Sequence, residues 1–230
     1  MLIIGVPVYN DVKGLRVMFD SLLDSTTAFD KIVLIESEST DGSNKTCDWL
    51  SSLDKCIETI HTPKLGPLDA YNRLFEIAKK EKADLFLTQT DVKFPSCYNR
   101  DWLVDMKKVA EVDKCGIITC YAGGGTSGPD FINGYPWVGA WCTYIPYRTI
   151  EKIGGYDMNI PLGYGVDIDY TYAIQSIGLK IYVVNYWVDH HPNYNEGHEH
   201  EKCSDFEQKK KEAFRYMREK WKVGEYNVVD

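Results

Sequence analysis

The chain opens with the stretch Leu2-Ile3-Ile4-Gly5-Val6-Pro7-Val8-Tyr9-Asn10-Asp11, an apolar run that ends in polar residues. A short run this rich in Ile and Val indicates a strand buried on both faces of a sheet. Pro7 should end the strand, because proline cannot donate a hydrogen bond to a central ladder. Asn10 or Asp11 can then cap a helix, since apolar side chains follow at helical spacing. Those side chains are Leu15, Met18, Phe19, Leu22 and Leu23.

The same strand-then-helix pattern repeats through the first half of the chain. Strands are predicted at 31–35, 56–60 and 84–88, and helices at 44–53, from residue 67, and around 102–109. This alternation predicts an α/β fold with a mostly parallel central sheet and helices on both faces. In such sheets ligands bind beyond the carboxyl ends of the strands, so the residues that follow each strand are the candidates for a site.

The second half of the sequence has a different character. Residues 121–144 are rich in glycine and aromatic residues, which favours either a mobile loop or a carbohydrate-type surface. Beyond them we predict short helices near 148–153 and 169–177, a strand at 181–188 and a charged terminal helix. No repeat or linker interrupts the sequence, so we predict one domain over 1–230. Its parts are a half of about 1–120, a half of about 121–200 and a C-terminal helix at about 201–223.

Composition limits the classes of function. The chain has 230 residues, 44% of them hydrophobic and 26% charged, as in an ordinary globular protein. Its formal net charge of −8 repels phosphate backbones, so no nucleic-acid partner is expected. The seven cysteines include no C-x-x-C pair, which favours reduced thiols and a cytoplasmic location. No apolar run approaches the ~20 residues of a membrane span, and no signal peptide is predicted.

Acidic residues follow two of the predicted strands. Glu36, followed by Asp41, could accept a hydrogen bond from a base or a ribose hydroxyl, although the same residues suit a turn and a helix cap. Asp91 follows the strand at 84–88 and could hold Mg²⁺ or Mn²⁺ together with a substrate diphosphate. The alternative for Asp91 is a cap or a turn.

A third acidic pair, Asp167 and Asp169, is spaced i, i+2 and cannot share one face of a helix. One carboxylate could cap the helix while the other enters a cleft as a general base; simple capping is the alternative. His190 and His191 follow the last predicted strand, where histidine could bind a divalent metal or belong to a solvated loop. The nearby His198, His200 and Cys203 lack the spacing of a closed zinc site.

These segments, taken in order, resemble an inverting glycosyltransferase of the GT-A fold, family 2 type. Residues 3–10, IIGVPVYN, resemble that family's opening strand and turn, and residues 35–42, IESESTDG, its second-strand motif. Residues 64–66, Ala70 and Asn72 match the helix beneath the donor. The second half is similar at 154–157 (GGYD), 165–169 (GVDID), 178–180 (GLK), 188–191 (VDHH) and 220–221 (KW).

The resemblance implies a Rossmann-like nucleotide-binding half, an acceptor-binding half, and a role for individual residues. The expected donor is a nucleotide-diphosphate sugar (a UDP-sugar by default, with a dTDP-sugar as the alternative), the acceptor a glycan or other hydroxyl, and the cofactor Mn²⁺ or Mg²⁺. Expected nucleotide-sugar contacts are Pro7, Tyr9, Asn10, Glu36, Ser37, Gly66, Asn72, Gln89 and Thr90. Expected metal ligands are Asp91, His190 and His191, and the expected general base is Asp167. Expected acceptor contacts are Trp137, Trp141 and Asp169, with burial as the alternative for the two tryptophans.

Two positions depart from the family pattern. Gln89 replaces the first acid of the D-x-D motif, a change also similar to rhamnosyltransferase-like members, and Val166 replaces the glutamate that often precedes the base. Because Gln89 is neutral, a catalytically inactive module that binds a nucleotide sugar or a glycan stays as the alternative function. The terminal helix places Phe206 and Phe214 beside lysines 209–211, which allows peripheral membrane contact, although its mixed charge favours packing on the domain.

Overall fold

A computed structural model describes residues 1–94, 101–122, 131–133, 138–190 and 204–222 of the chain, with only the backbone of 131–133. The strands are β1 (Leu2–Val8), β2 (Lys31–Ser37), β3 (Ile57–Thr62), β4 (Asp84–Thr88), β5 (Val92–Lys93), β6 (Cys115–Ala122), β7 (Phe131–Asn133), β8 (Cys142–Ile145) and β9 (Lys180–His190). The helices are α1 (Val12–Ser25), α2 (Ser43–Leu53), α3 (Pro67–Glu81), α4 (Trp102–Ala110), α5 (Tyr147–Ile153), α6 (Val166–Ser176) and α7 (Phe206–Trp221).

The strands form one mixed sheet in the order β3-β2-β1-β4-β8-β6-β9-β5, with β7 paired to β9. The first four strands are mutually parallel, as the alternating sequence pattern predicted. Strand β8 departs from that pattern because it is inserted antiparallel between β4 and β6. The stretch at 121–144 therefore contributes β7 and β8 to the sheet and is more than the loop or surface expected for it.

Pro7 lies inside β1, which continues to Val8, so the prediction that it ends the strand is wrong. The physical reason is the unequal length of the neighbouring strands. Strand β1 pairs with β4 only as far as Gly5 but with β2 as far as Val8. Pro7 therefore has a strand partner on one side only. A proline is tolerated in a strand at such an edge-like position, because its missing N–H need not interrupt a ladder on both sides.

The sheet separates two hydrophobic cores, because successive side chains of a strand point to opposite faces. Ile4 packs with side chains of α1, α2 and α4 on one face. Ile3 packs with side chains of α3, α5, α6 and α7 on the other. This sandwich fixes the carboxyl ends of β1, β2 and β4 along one edge, where the predicted site residues lie.

Helix α6 begins three residues earlier than the sequence predicted. Gly165 precedes it with φ of +81°, a left-handed conformation that favours glycine. Asp167 consequently lies in the first turn of the helix. No helix in the described part of the chain is long and apolar enough to cross a membrane.

Candidate functional site

The loops that follow β1 and β2 are fastened to each other by side chains. Asn10 adopts a left-handed backbone (φ 47°), and its N–H donates to Ser39 Oγ at 3.0 Å. Asn10 Oδ1 accepts from the Thr40 N–H at 2.8 Å, and Asp41 Oδ2 accepts from the Val12 N–H at 2.8 Å. As predicted, Asp11 caps α1 by accepting from the Gly14 N–H. The two loops therefore form one fixed rim at this edge of the sheet.

Glu36 is the buried centre of this rim. Its Oε1 accepts from the Ser39 N–H at 2.7 Å, and its Oε2 lies 3.0 Å from His61 Nδ1. The other ring nitrogen of His61 lies 2.7 Å from Asp48. Hydrogen bonds with Asp48 first, and with Glu36 second, raise the pKa of His61. The structure thus uses Glu36 to hold the rim in shape, while its predicted contact with a base or ribose stays a prediction.

The other predicted nucleotide contacts surround the same rim. Tyr9 is half-buried, with Lys64 Nζ 4.6 Å above its ring. Ser37 is buried at the end of β2, and Gly66 precedes α3, where Pro67 occupies the first turn as predicted. The Asn72 amide exchanges two hydrogen bonds with the backbone of Tyr156, at 2.9 and 2.7 Å, and its predicted donor contact stays a prediction.

The turn after β4 carries Gln89, Thr90 and Asp91 and lies against the start of α1. Gly14 permits this close approach, since a Cβ there would lie 2.7 Å from the Thr90 carbonyl oxygen. Thr90 and Asp91 are buried, whereas Gln89 is half-buried and donates its amide to the Tyr71 hydroxyl at 2.6 Å. Gln89 is therefore the more exposed side chain of this turn, and its partner is a neutral phenol.

Asp91 and His190 form the candidate metal centre. His190 Nε2 lies 3.3 Å from Asp91 Oδ2, and β5 holds the two together because Val92 pairs with His190. Asp91 Oδ1 and His190 Nε2 are both buried without a hydrogen-bond partner among the described residues. A buried polar atom without a partner is costly, and a carboxylate oxygen and an imidazole nitrogen are suitable ligands for Mn²⁺.

The described ranges contain no cluster of three or more His, Cys, Asp or Glu side chains that could hold a metal ion. Asp91 and His190 alone fit a cation whose remaining ligands are phosphate oxygens and water. The indole of Trp141 stacks on the His190 ring at 5.7 Å, which places Trp141 beside this pair. His191 and Trp137 lie outside the described residues, so their predicted roles stay predictions.

Asp167 projects from the first turn of α6 and is the candidate general base. Its Oδ1 accepts from the Ile168 N–H at 2.9 Å, and the Ala140 N–H also hydrogen-bonds to the carboxylate. Burial raises the pKa of Asp167 to about 6, against the smaller opposing effect of these bonds. A carboxylate with a pKa near neutrality is suited to take up a proton during catalysis.

Tyr71 links these groups and was not predicted from the sequence. Its phenol is buried on α3, and burial raises its pKa most strongly, followed by the charges of Asp91 and Asp167. One hydroxyl therefore senses both the metal-centre aspartate and the candidate base, and also bonds Gln89. No sequence signal distinguishes Tyr71 from a core tyrosine, because its position depends on how α3 crosses the sheet.

Asp169 has a structural role in the described residues, and its predicted acceptor contact stays a prediction. It is buried, its Oδ1 accepts from the Trp221 indole N–H at 2.7 Å, and its Oδ2 pairs with Lys220 at 2.9 Å. Lys220 also pairs with Asp157 at 2.7 Å. Both oxygens of Asp169 therefore anchor α7, which leaves Asp167 as the carboxylate of α6 that faces the site.

Replacing Lys220 with Met is expected to lower the free energy of unfolding by about 2 kcal/mol, because buried Asp169 loses its counter-charge. Burial alone would raise the pKa of Asp157, but bonds from Lys220, the Asn159 backbone and Tyr216 lower it to about 2. That stabilisation is present above the ordinary carboxyl pKa of 3.8 and disappears as pH falls through about 2. Urea denaturation from pH 7 to 2 should therefore show the deficit shrinking below pH 4. The control is Lys211→Met on the same helix, where the side chain is exposed; an equal loss in that variant would contradict the prediction.

The apolar face of α7 is covered by the rest of the protein. Phe206 and Phe214 pack edge-on against Tyr164 at 5.8 and 5.7 Å, and Lys210 lies 4.9 Å above the same ring. The sequence favoured packing of this helix on the domain. In the structure Phe206 and Phe214 make such contacts with Tyr164.

A family model described as "Glycosyl transferase family 2" matches residues 3–92, which contain the rim, Tyr71 and Asp91. No curated protein matches the chain significantly in sequence.

Solved structures share the fold of this chain at low sequence identity. The mannosyltransferase PcManGT from Pyrobaculum calidifontis, in complex with GDP-Man and Mn²⁺, is 16% identical with a TM-score of 0.63; the match covers 82% of this chain and 56% of that one. GalNAc-T7 with UDP, GalNAc and Mn²⁺ is 14% identical with a TM-score of 0.68; the match covers 83% of this chain and 43% of GalNAc-T7. S. aureus TarS 1–349 in complex with UDP is 14% identical with a TM-score of 0.61; the match covers 98% of this chain and 73% of the TarS chain.

These matches establish a GT-A-like fold. The chain spans about half the length of the first two structures. The finer resemblance to rhamnosyltransferases is not supported by any of these matches.

Proposed function

We propose that this chain is an inverting glycosyltransferase that moves a sugar from a nucleotide-diphosphate sugar to a hydroxyl of a glycan or another acceptor. The observation that carries the proposal is the arrangement of two carboxylates with different environments. Asp91 lies beside His190, and its Oδ1 has no partner among the described residues. Burial raises the pKa of Asp167 to about 6, and the charges of both aspartates raise the pKa of the Tyr71 phenol. A cation ligand and a general base are thereby brought to one place.

The reaction assigns a task to each of these residues. Asp167 accepts the proton of the acceptor hydroxyl as that oxygen forms a bond to the anomeric carbon. The bond from that carbon to the diphosphate breaks on the opposite face, and the nucleoside diphosphate leaves with the electron pair, which inverts the anomeric configuration. Asp167 gains one proton and loses it to solvent afterwards, so the protein is restored.

Asp91 and His190 would hold the divalent cation. Mn²⁺ or Mg²⁺ bound there would supply positive charge to stabilise the departing diphosphate. The rim formed by Asn10, Ser39 and Thr40 lies at the neighbouring strand ends, where the base and ribose of the donor would bind. We propose a UDP-sugar as the donor, with a dTDP-sugar as the alternative, since GalNAc-T7 and TarS were solved with UDP.

The proposal is tested by measuring the melting temperature with UDP, GDP, dTDP and the matching nucleotide sugars, each with and without Mn²⁺. We expect one diphosphate to stabilise the protein only when Mn²⁺ is present, by about 2.7 kcal/mol when its concentration is 100 times its Kd. Slow hydrolysis of the corresponding nucleotide sugar should accompany that binding. Binding without hydrolysis or transfer would favour the inactive module, and the absence of any shift would contradict a donor site altogether.

A further inference from the structure

We infer that Tyr71 and Gln89 together bind a hydroxyl group of the transferred sugar, and that they restrict the donor to neutral sugars. This inference rests on the proposed function and goes beyond it, because it names a donor-binding residue and a class of sugar. Neither the family match nor the solved structures assign a role to Tyr71.

The first observation is that the pair keeps hydrogen-bonding capacity for a ligand. The Gln89 amide donates one N–H to the Tyr71 hydroxyl oxygen at 2.6 Å. Within the described part of the chain, the phenol proton, the second amide N–H and the amide carbonyl oxygen have no other partner. One donor from tyrosine and one donor and one acceptor from glutamine are what an alcohol group needs to bond in both directions.

The second observation concerns where this pair lies. Gln89, which bonds the Tyr71 hydroxyl, lies in the same turn as Asp91 and two residues before it. The charges of Asp91 and Asp167 also raise the pKa of the Tyr71 phenol. In an inverting displacement the acceptor oxygen and the leaving diphosphate lie on opposite faces of the anomeric carbon. With the diphosphate at Asp91 and the acceptor at Asp167, the sugar ring must lie between the two carboxylates, next to the Tyr71 hydroxyl.

The third observation is the sign of the local charge. Two carboxylates flank a neutral amide and a neutral phenol, and no described Lys or Arg bonds either Gln89 or Tyr71. With the cation at Asp91 already matched by the donor diphosphate, a carboxylate on the sugar, as in a uronic acid, would face the charge of Asp167 without a Lys or Arg to pair with, whereas a hydroxyl would be bonded. The site therefore suits a neutral hexose or deoxyhexose.

Neighbouring aromatic rings hold the Tyr71 ring in place, so that its hydroxyl has a fixed position from which to recognise the donor sugar. It packs edge-on against Tyr156 at 5.6 Å, and Tyr156 in turn packs against Phe75 and Tyr170 at 5.1 and 5.3 Å. A Tyr71→Phe variant keeps this packing and removes only the oxygen. The matched control is Tyr170→Phe, since Tyr170 belongs to the same cluster but its hydroxyl bonds the Gly154 carbonyl at 3.0 Å, within the α5–α6 region.

The experiment compares wild type, Tyr71→Phe and Tyr170→Phe with Mn²⁺ and three probes: UDP alone, UDP-glucose or UDP-galactose, and UDP-glucuronic or UDP-galacturonic acid; dTDP and dTDP-glucose replace the first two if dTDP binds instead. We expect wild type to hydrolyse the neutral donor at least ~10-fold more efficiently than the matched acidic one. Tyr71→Phe should lose roughly tenfold in kcat/KM for the neutral donor, as for one lost hydrogen bond, yet bind UDP as wild type does. Tyr170→Phe should match wild type.

Two results would overturn the inference alone: an unchanged kcat/KM in Tyr71→Phe, or equal use of neutral and acidic donors by wild type. A parallel loss of UDP affinity in Tyr71→Phe would also overturn it, because the hydroxyl would then serve the nucleotide and not the sugar. Failure of wild type to bind any diphosphate would instead defeat the proposed function, and this inference with it. Binding of UDP is measured first, so the two failures are distinguished.

Discussion

Replacing Asp167 with Asn is expected to reduce sugar transfer by about 10²- to 10⁴-fold while making the folded protein more stable. The amide oxygen can still accept from the Ile168 N–H, so the first turn of α6 should be kept. What disappears is the ability to take a proton from the acceptor, and with it the cost of a buried negative charge.

The stability change follows from the direction of the pKa shift. Burial raises the pKa of Asp167 from 3.8 to about 6 in the folded state. Between those values the folded protein binds more protons than the unfolded chain, so its stability falls as pH rises through this window. At pH 7 the neutral Asn avoids that loss, which we expect to be worth about 1–2 kcal/mol because the carboxylate is only partly buried. Chemical denaturation at pH 4 and pH 7 should show the gain at pH 7 alone.

The same shift sets the pH dependence of the wild-type enzyme. The rate of transfer should increase with pH through about 6, where Asp167 loses its proton, and then level off. The residual rate of Asp167→Asn should lack this step. A rate step near pH 6 that persists in the variant would place the base on another residue.

Asp169→Asn is the matched comparison, two residues further along α6. Its carboxylate bonds Lys220 and Trp221, so this variant should lose stability but keep transfer at temperatures where it is folded. The two variants therefore have opposite signatures: one inactive and stable, the other active and less stable. If Asp169→Asn were inactive and Asp167→Asn active, Asp169 would be the base.

Much of this arrangement could be predicted from local sequence, because local chemistry determines it. The end of β4 at residue 88 follows from a short apolar run, whereas β1 and β2 continue one and two residues past their predicted ends. The cap at Asp11, one of the two candidates, follows from a polar side chain before a helical pattern. The i, i+2 spacing of Asp167 and Asp169 predicted that the pair would diverge. They do diverge, because Asp167 bonds the backbone of its own helix turn whereas Asp169 bonds Trp221 of α7.

The features that could not be predicted all depend on long-range pairing. Strand β8 lies antiparallel between β4 and β6. It begins 54 residues after β4 ends and 20 residues after β6 ends, and no local pattern encodes this pairing. Tyr71 looks like one more apolar position of α3, and only the crossing of α3 over β4 brings its hydroxyl to Gln89. Asn72 was expected beside the donor, whereas contact with Tyr156, 84 residues away, occupies its amide.

Replacing Asp91 with Asn should remove the Mn²⁺-dependent stabilisation by nucleotide and lower transfer at least ~100-fold. The carboxylate is 3% exposed, and its Oδ1 has no partner among the described residues, so the folded chain holds a charge that a cation would neutralise. An amide oxygen is a weaker ligand than a carboxylate and brings no negative charge. Without metal, the variant should be at least as stable as wild type, because a buried carboxylate with one oxygen lacking a partner among the described residues is gone.

Isothermal titration of Mn²⁺ in the presence of the stabilising nucleotide measures this change directly. His190→Gln should weaken the same titration to a smaller extent, since His190 Nε2 lies 3.3 Å from Asp91 Oδ2 and would supply a neutral ligand. Asp24→Asn, on the exposed side of α1, removes one negative charge far from the turn and should leave metal affinity unchanged. If all three variants bound Mn²⁺ equally, the cation would be held elsewhere, and Asp91 would be a buried carboxylate whose burial serves the packing of the 89–91 turn against Gly14.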